Sequence, residues 1–176
     1  MDLPKALLSE TTSEAFAQCS VCNDSLKDKL YFLEKAYHRN LADEHHSVIF
    51  EYAICENCKR DMMQHISKES MQKMQGFMME HQREVDDMMQ HDVDLEHCTF
   101  TGKSLAETQE YHLVAVIRNN EVQMSPVIFG DEIMEQYQSL LSEETKGFFE
   151  DFYDNFIDIP PALAKILGKK MKPVLI

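Results

Sequence analysis

The sequence predicts an α+β fold: a small four-cysteine metal module with a β-hairpin, a long methionine-rich helix, then a second, degenerate and metal-free copy of the β–α module followed by C-terminal helices. Three observations carry that expectation. Two Cys-x-x-Cys pairs, Cys19/Cys22 and Cys55/Cys58, flank an aromatic-rich stretch. Methionines recur at three- and four-residue spacing beyond the second pair. A shift of 79 positions lays Cys19 on Cys98 and several neighbours on like residues.

Composition narrows the function classes. The chain has 176 residues, 44% of them hydrophobic, enough for one domain or two small ones. Its 31 acidic against 17 basic residues give a net charge of −14. Four zinc-bound thiolates make it more acidic still, so a polyanion is repelled at long range and nucleic acid is not the expected partner. No apolar run is long enough for a membrane span. Met1-Asp2-Leu3-Pro4-Lys5 lacks the basic and apolar regions of a secretion signal, which points to the cytoplasm. Five cysteines, four in close pairs, suit a reducing compartment with metal-held thiols; Cys98 is the odd one. The expected organisation is a metal module over 1–62, a connecting helix over 59–91, the second copy over 93–157, and a C-terminal helix with a basic tail over 158–176.

Asp2 to Leu8 reads as a short apolar helix and Ser9–Ser13 as a polar connector. Cys19 to Cys22 closes on Asn23-Asp24, residues that tolerate a left-handed turn from which backbone N–H groups point back at sulfur. Leu30–Tyr37 and Ser47–Ile54 carry the aromatic and β-branched residues of two strands, with His38–His46 as the loop between them. The stretch after Cys58 has no Gly or Pro near it and favours helix, which puts the second pair on a first helical turn, where unpaired N–H groups stabilise thiolate.

Knuckle, hairpin, then a helix that opens with the last two ligands is an order that resembles the treble-clef zinc fingers over roughly residues 17–66. The resemblance implies one structural Zn2+ held by Cys19, Cys22, Cys55 and Cys58. Four thiolates complete a tetrahedral shell with no open position. A rubredoxin-like iron site would carry Gly after each pair, where this chain has Asn23 and Lys59.

Met71, Met74, Met78, Val85 and Met88 extend the helical pattern to Gln90, widened by Met62, Met63, Met79 and Met89. Such a stripe packs against the rest of the protein or against a second copy, giving a homodimer. Its unbranched thioethers also make an adaptable surface for a protein partner. Gly76 in mid-helix marks a bend or a close crossing. The 79-residue shift carries Ser25-Leu26 onto Ser104-Leu105, Arg39-Asn40 onto Arg118-Asn119 and Val48-Ile49-Phe50 onto Val127-Ile128-Phe129. In that register Cys22, Cys55 and Cys58 fall on Thr101, Met134 and Tyr137, so the copy has kept one ligand and lost three. Tyr111–Ile117 alternates as a half-buried strand, and Gly102 takes the turn position.

Asp131–Leu141 is a further helix. Ser142 caps the next, which brings Phe148, Phe149, Phe152, Tyr153 and Phe156 before Pro160-Pro161 stops it. Ala162–Leu167 reads as a short helix and Lys169–Lys172 as a basic tail. His38, His45, His46, His65, His81, His91 and His97 show no catalytic spacing, and neither a phosphate loop nor a nucleophile elbow is present. The expected role is a non-enzymatic structural zinc protein serving protein–protein interaction. A thiol redox switch that releases zinc and a metal-dependent enzyme are the alternatives.

Overall fold

A computed structural model describes residues 3–40, 45–90 and 93–157, with backbone alone for 88–90. Four strands form one antiparallel sheet: β1 (Leu30–Arg39), β2 (His46–Cys55), β3 (Glu110–Arg118) and β4 (Glu121–Gly130). Their spatial order is β2-β1-β3-β4, so the second strand of each hairpin lies at an edge. Each hairpin pairs within itself, and the two join through β1 and β3, where Glu34 stands opposite Val114. Five helices complete the described chain: α1 (Glu56–Met63), α2 (Lys68–Glu80), α3 (Gln82–Gln90), α4 (Asp131–Ser139) and α5 (Glu143–Phe156).

One face of the sheet packs on helices. Phe50 meets Tyr153 edge-on at 5.1 Å, Tyr52 meets Phe152 at 5.6 Å, and Phe129 meets Tyr137 at 5.4 Å. Aromatic pairs in this range prefer tilted and edge-to-face arrangements. The other face is covered by the N-terminal segment, where the helix expected over 2–8 is only a 3-10 turn, Lys5–Leu7, with Leu7 buried. Lys35, fully buried, holds this segment by donating from Nζ to Leu8 O and to Glu10 Oε1, both at 2.8 Å. Glu51 lies 3.4 Å from the same ammonium and accepts from Ser9 Oγ. A buried charge persists only when paired and hydrogen-bonded, and this one is.

The continuous helix expected over 59–91 is divided into α1, α2 and α3. Ser67 ends the first helical stretch by capping α2, its side chain accepting from Ser70 N–H, and the chain bends again at His81 (φ −100°, ψ 18°). Local hydroxyl capping outcompetes helix continuation here. Gly76 lies inside α2, where an added Cβ would meet nothing within 4 Å, so it marks neither bend nor crossing. Met74, Phe77 and Val85 are buried, Met71 and Met78 half-buried, and Met79 exposed. The short helix at Ala162–Leu167, the tail Lys169–Lys172, His91 and most of the first hairpin loop lie outside the described residues.

Ser142 caps α5 as Ser67 caps α2, and the two caps meet. Ser67 Oγ and Ser142 Oγ are 2.9 Å apart, Ser67 N–H donates to Thr145 Oγ1 (3.0 Å), and Ser142 N–H donates to Ser70 Oγ (2.8 Å). Each helix thus satisfies one of the other's orphan N–H groups as well as its own.

The turns before β1 and β3 carry matching backbone bonds. Cys19 N–H donates to Asp24 O and Cys98 N–H to Lys103 O; Asn23 N–H donates to Cys19 O and Gly102 N–H to Cys98 O. Asn23 (φ 60°) and Gly102 (φ 66°) are both left-handed. These two turns are 79 residues apart, but the second strands after them do not follow that spacing. Six residues separate β1 from β2 but two, Asn119-Asn120, separate β3 from β4; both asparagines have positive φ, as a tight hairpin turn requires. With that shorter turn, Val127–Phe129 takes the place of Tyr52–Ile54 rather than of Val48–Phe50.

At the sheet centre Glu34 is buried and accepts from Tyr52 Oη and from His112 Nδ1, the latter at 2.6 Å. Burial, then the Glu34 charge, pushes the Tyr52 hydroxyl far above its usual range, so it stays a donor. His112→Ala removes the 2.6 Å partner of this buried acid. The expected loss is about 3–5 kcal/mol, measured by denaturant unfolding.

Candidate metal centre

The hairpin brings the two cysteine pairs together. Cys19 and Cys22 sit on the turn before β1, Cys55 is the last residue of β2 and the N-cap of α1, and Cys58 lies in the first turn of α1. Ser20 fastens the turn to the strand: its N–H donates to Ala53 O at 2.8 Å and its Oγ accepts from Ala53 N–H at 3.1 Å. All four sulfurs consequently lie within 4.8 Å of one another, with Cys22 Sγ 3.9 Å from Cys55 Sγ. A tetrahedral ion with Zn–S near 2.3 Å needs S···S near ~3.8 Å. The cage therefore fits such an ion with small movements of the outlying sulfur. All four cysteines are free thiols, not disulfides.

The surroundings favour thiolate at the inner position. Burial raises the Cys19 thiol, but N–H groups of Cys22, Cys55 and Val21 outweigh it and bring it down to about 7. The Cys55 N–H stands 3.4 Å from its sulfur. Cys58 shifts the other way, raised by burial and then by the neighbouring thiols. Four thiols so close cannot all ionise without a cation between them, and they are placed to hold one. Lys59 folds back with Nζ 4.0 Å from the Phe32 ring, its burial holding it down at about 8 despite the pull of Glu34. Its place inside α1 differs from the left-handed Asn23, so the two pairs do not form symmetric knuckles.

Among the described residues no histidine or carboxylate joins the cluster. His38 pairs with Glu110, His97 with Asp94, His46 with Thr108 O, and His65 stacks on Phe148 at 4.8 Å. The second turn has a related but different site. Gly130 N–H donates to Cys98 Sγ at 3.4 Å as Cys55 N–H does to Cys19 Sγ. Around Cys98 stand Thr101, Gly130 and Ile133. Gly130 and Ile133 hold the places of Cys55 and Cys58, which the gapless register gave to Met134 and Tyr137. The tight Asn119-Asn120 turn was the sequence signal for that offset.

Comparisons with protein-family models, with curated proteins and with solved structures return no match for this chain. The four sulfurs are therefore read on their own chemistry. No described helix is long and apolar enough to cross a membrane.

Protons compete with metal for thiolate. Affinity for a thiolate-bound metal should fall with pH, and with Cys19 brought down to about 7 the fall should be one proton steeper below that value than above it. Competition with a chromophoric chelator from about pH 6 to about pH 8 measures the slope. Cys58→Ser abolishes tight binding and lowers the unfolding midpoint, whereas Cys98→Ser leaves metal content unchanged.

Proposed function

We propose that this is a non-enzymatic cytoplasmic zinc protein in which Cys19, Cys22, Cys55 and Cys58 hold one structural ion in treble-clef fashion and the rest of the fold presents a protein-binding surface. The observation that carries the reading is a four-sulfur donor set that fills a tetrahedral shell and leaves no position for substrate. When bound, zinc crosslinks the turn before β1 to the β2–α1 junction. The free energy of such sites, about 10–16 kcal/mol in finger peptides, is of the order of a whole domain's stability. Met79, 75% exposed and flanked by Met71 and Met78, is the surface for a protein partner or a second copy.

The reading includes an internal duplication. Matched turns, a sheet in which each hairpin places its second strand at an edge, and paired serine caps support two copies of one knuckle–hairpin–helix unit. The second copy replaces its ion with buried Phe100, Ile133, Met134 and Tyr137. At about 1.5–3 kcal/mol each, these recover a large share of what zinc supplies.

A second reading, a redox switch, is favoured by the exposed Cys22 beside Cys55. Hydrogen peroxide would take two electrons from this pair, forming a disulfide and water and releasing zinc.

Metal analysis of the purified protein should give one zinc per chain, and X-ray absorption a shell of four sulfurs. A nitrogen or oxygen ligand would overturn the structural assignment. Gly130 (φ −74°, ψ 171°) matches Cys55 (φ −69°, ψ 161°), so its backbone admits a side chain. Thr101→Cys, Gly130→Cys and Ile133→Cys combined should bind a second zinc through Cys98. Failure of a folded triple variant to do so counts against the duplication.

A further inference from the structure

Helix α5 has more apolar surface than the sheet uses. Phe149 and Tyr153 are buried against the core, but Phe148, Asp151, Phe152, Asn155 and Phe156, at i, i+3, i+4, i+7 and i+8, form a second stripe that lines an open groove. The opposite wall is α1 and the turn after it, where Cys58, Asp61, Met62 and His65 fall at i, i+3, i+4 and i+7. The groove has a volume of about 340 Å³. Each wall runs for about two helical turns, roughly 12 Å. His65 stacks on Phe148 at 4.8 Å, and Phe156 is 41% exposed. Val21 also lines the groove. At the matching place of the second turn, Phe100 fills its surroundings with a ring, 5.7 Å from Phe77 and 4.8 Å from Phe129, which the smaller Val21 does not do. Asp61 stands on one wall and Asp151 on the other, both exposed, and neither carboxylate is paired with a described residue.

We propose that this groove binds a basic amphipathic helix of a partner protein, with apolar side chains seated between Met62, Phe152 and Phe156 and Lys or Arg side chains reaching Asp61 and Asp151. The inference rests on the protein-binding reading above and gives the partner a chemistry, at a groove that Met79 does not line. Two walls built from residues at three- and four-residue spacing leave a channel that fits the ridge of a third helix. Anchors at i, i+3 or i+4 and i+7 are how such helices seat. Aromatic rings and a thioether supply the apolar contact. Charge then selects the partner. A carboxylate on each wall, on a helix with five acids to one lysine and in a chain of net charge −14, favours a cation and turns away acidic peptides and nucleic acid. A second copy, equally acidic, would bring like charge to like. Rings beside carboxylates also suit the guanidinium group of Arg through cation–π contact.

The test uses the full chain, its metal content measured, and a displayed library of random peptides of about 16 residues, long enough for roughly four helical turns. Selected sequences should carry Leu, Ile, Phe or Met at i, i+3 or i+4 and i+7 with Lys or Arg beside them, and should shift amide resonances in 58–65 and 148–156. Phe156→Ala should weaken the selected peptide about tenfold or more. Asp61→Asn with Asp151→Asn should slow its association and flatten the salt dependence, whereas Met79→Ala should leave binding unchanged. An acidic consensus, no enrichment, or full affinity in the folded Phe156→Ala and Asp61→Asn/Asp151→Asn variants overturns the proposal. Binding lost in Met79→Ala instead overturns it while keeping the protein-binding reading. A dimer that Phe156→Ala dissociates assigns the groove to a second copy and also overturns it. Zinc content of the same samples separates the readings, because a chain without metal fails the structural assignment whatever the groove binds.

Discussion

Cys55 is at once the end of a strand, the cap of a helix and one corner of a sulfur cage, and the rest of the first half depends on that coincidence. Its N–H points at Cys19 Sγ and its own sulfur faces Cys22, so strand, helix and turn meet at one point. Without a cation the four thiols repel as they ionise. With one they fix the angle at which α1 leaves the sheet, and hence where Met62 and His65 stand.

The second half reaches a similar backbone without that chemistry. Its turn keeps the sulfur of Cys98 and the N–H beneath it, but glycine, threonine and isoleucine surround them where the first half has thiols. Phe100 reaches into the cluster of Phe77, Phe129 and Tyr137, a role Val21 is too small to play. One side of the sheet therefore carries four thiols placed to hold a metal ion, and the other side is supported by ring packing. The shared centre is β1 against β3, with the buried Glu34, His112 and Tyr52 beside the seam.

Much of this was legible in the chain. The cysteine pairs, both hairpin strands and the Ser142 cap follow from spacing, β-propensity and capping chemistry that act locally. Three features resisted for physical reasons. A Met-rich periodic stretch reads as one helix because periodicity does not register that Ser67 is drawn to Ser142, 75 positions away in sequence. The gapless 79-residue register fails in the second strands because the two hairpins have turns of unequal length. Glu34 and Lys35, adjacent charges in an apolar strand, point to opposite faces of the sheet. Only the assembled sheet supplies His112 to one and Glu10 to the other.

Lys35 has a practical corollary. Its ammonium is sealed beneath a strap that reaches back to Leu8 and Glu10, so the leading residues act as a lid on a charge rather than as a dispensable leader. Trimming the chain past Glu10 removes two of the partners of that cation and leaves it with Glu51, uncovered above Leu33 and Tyr37, and protein shortened in this way would be unsound material for any binding study.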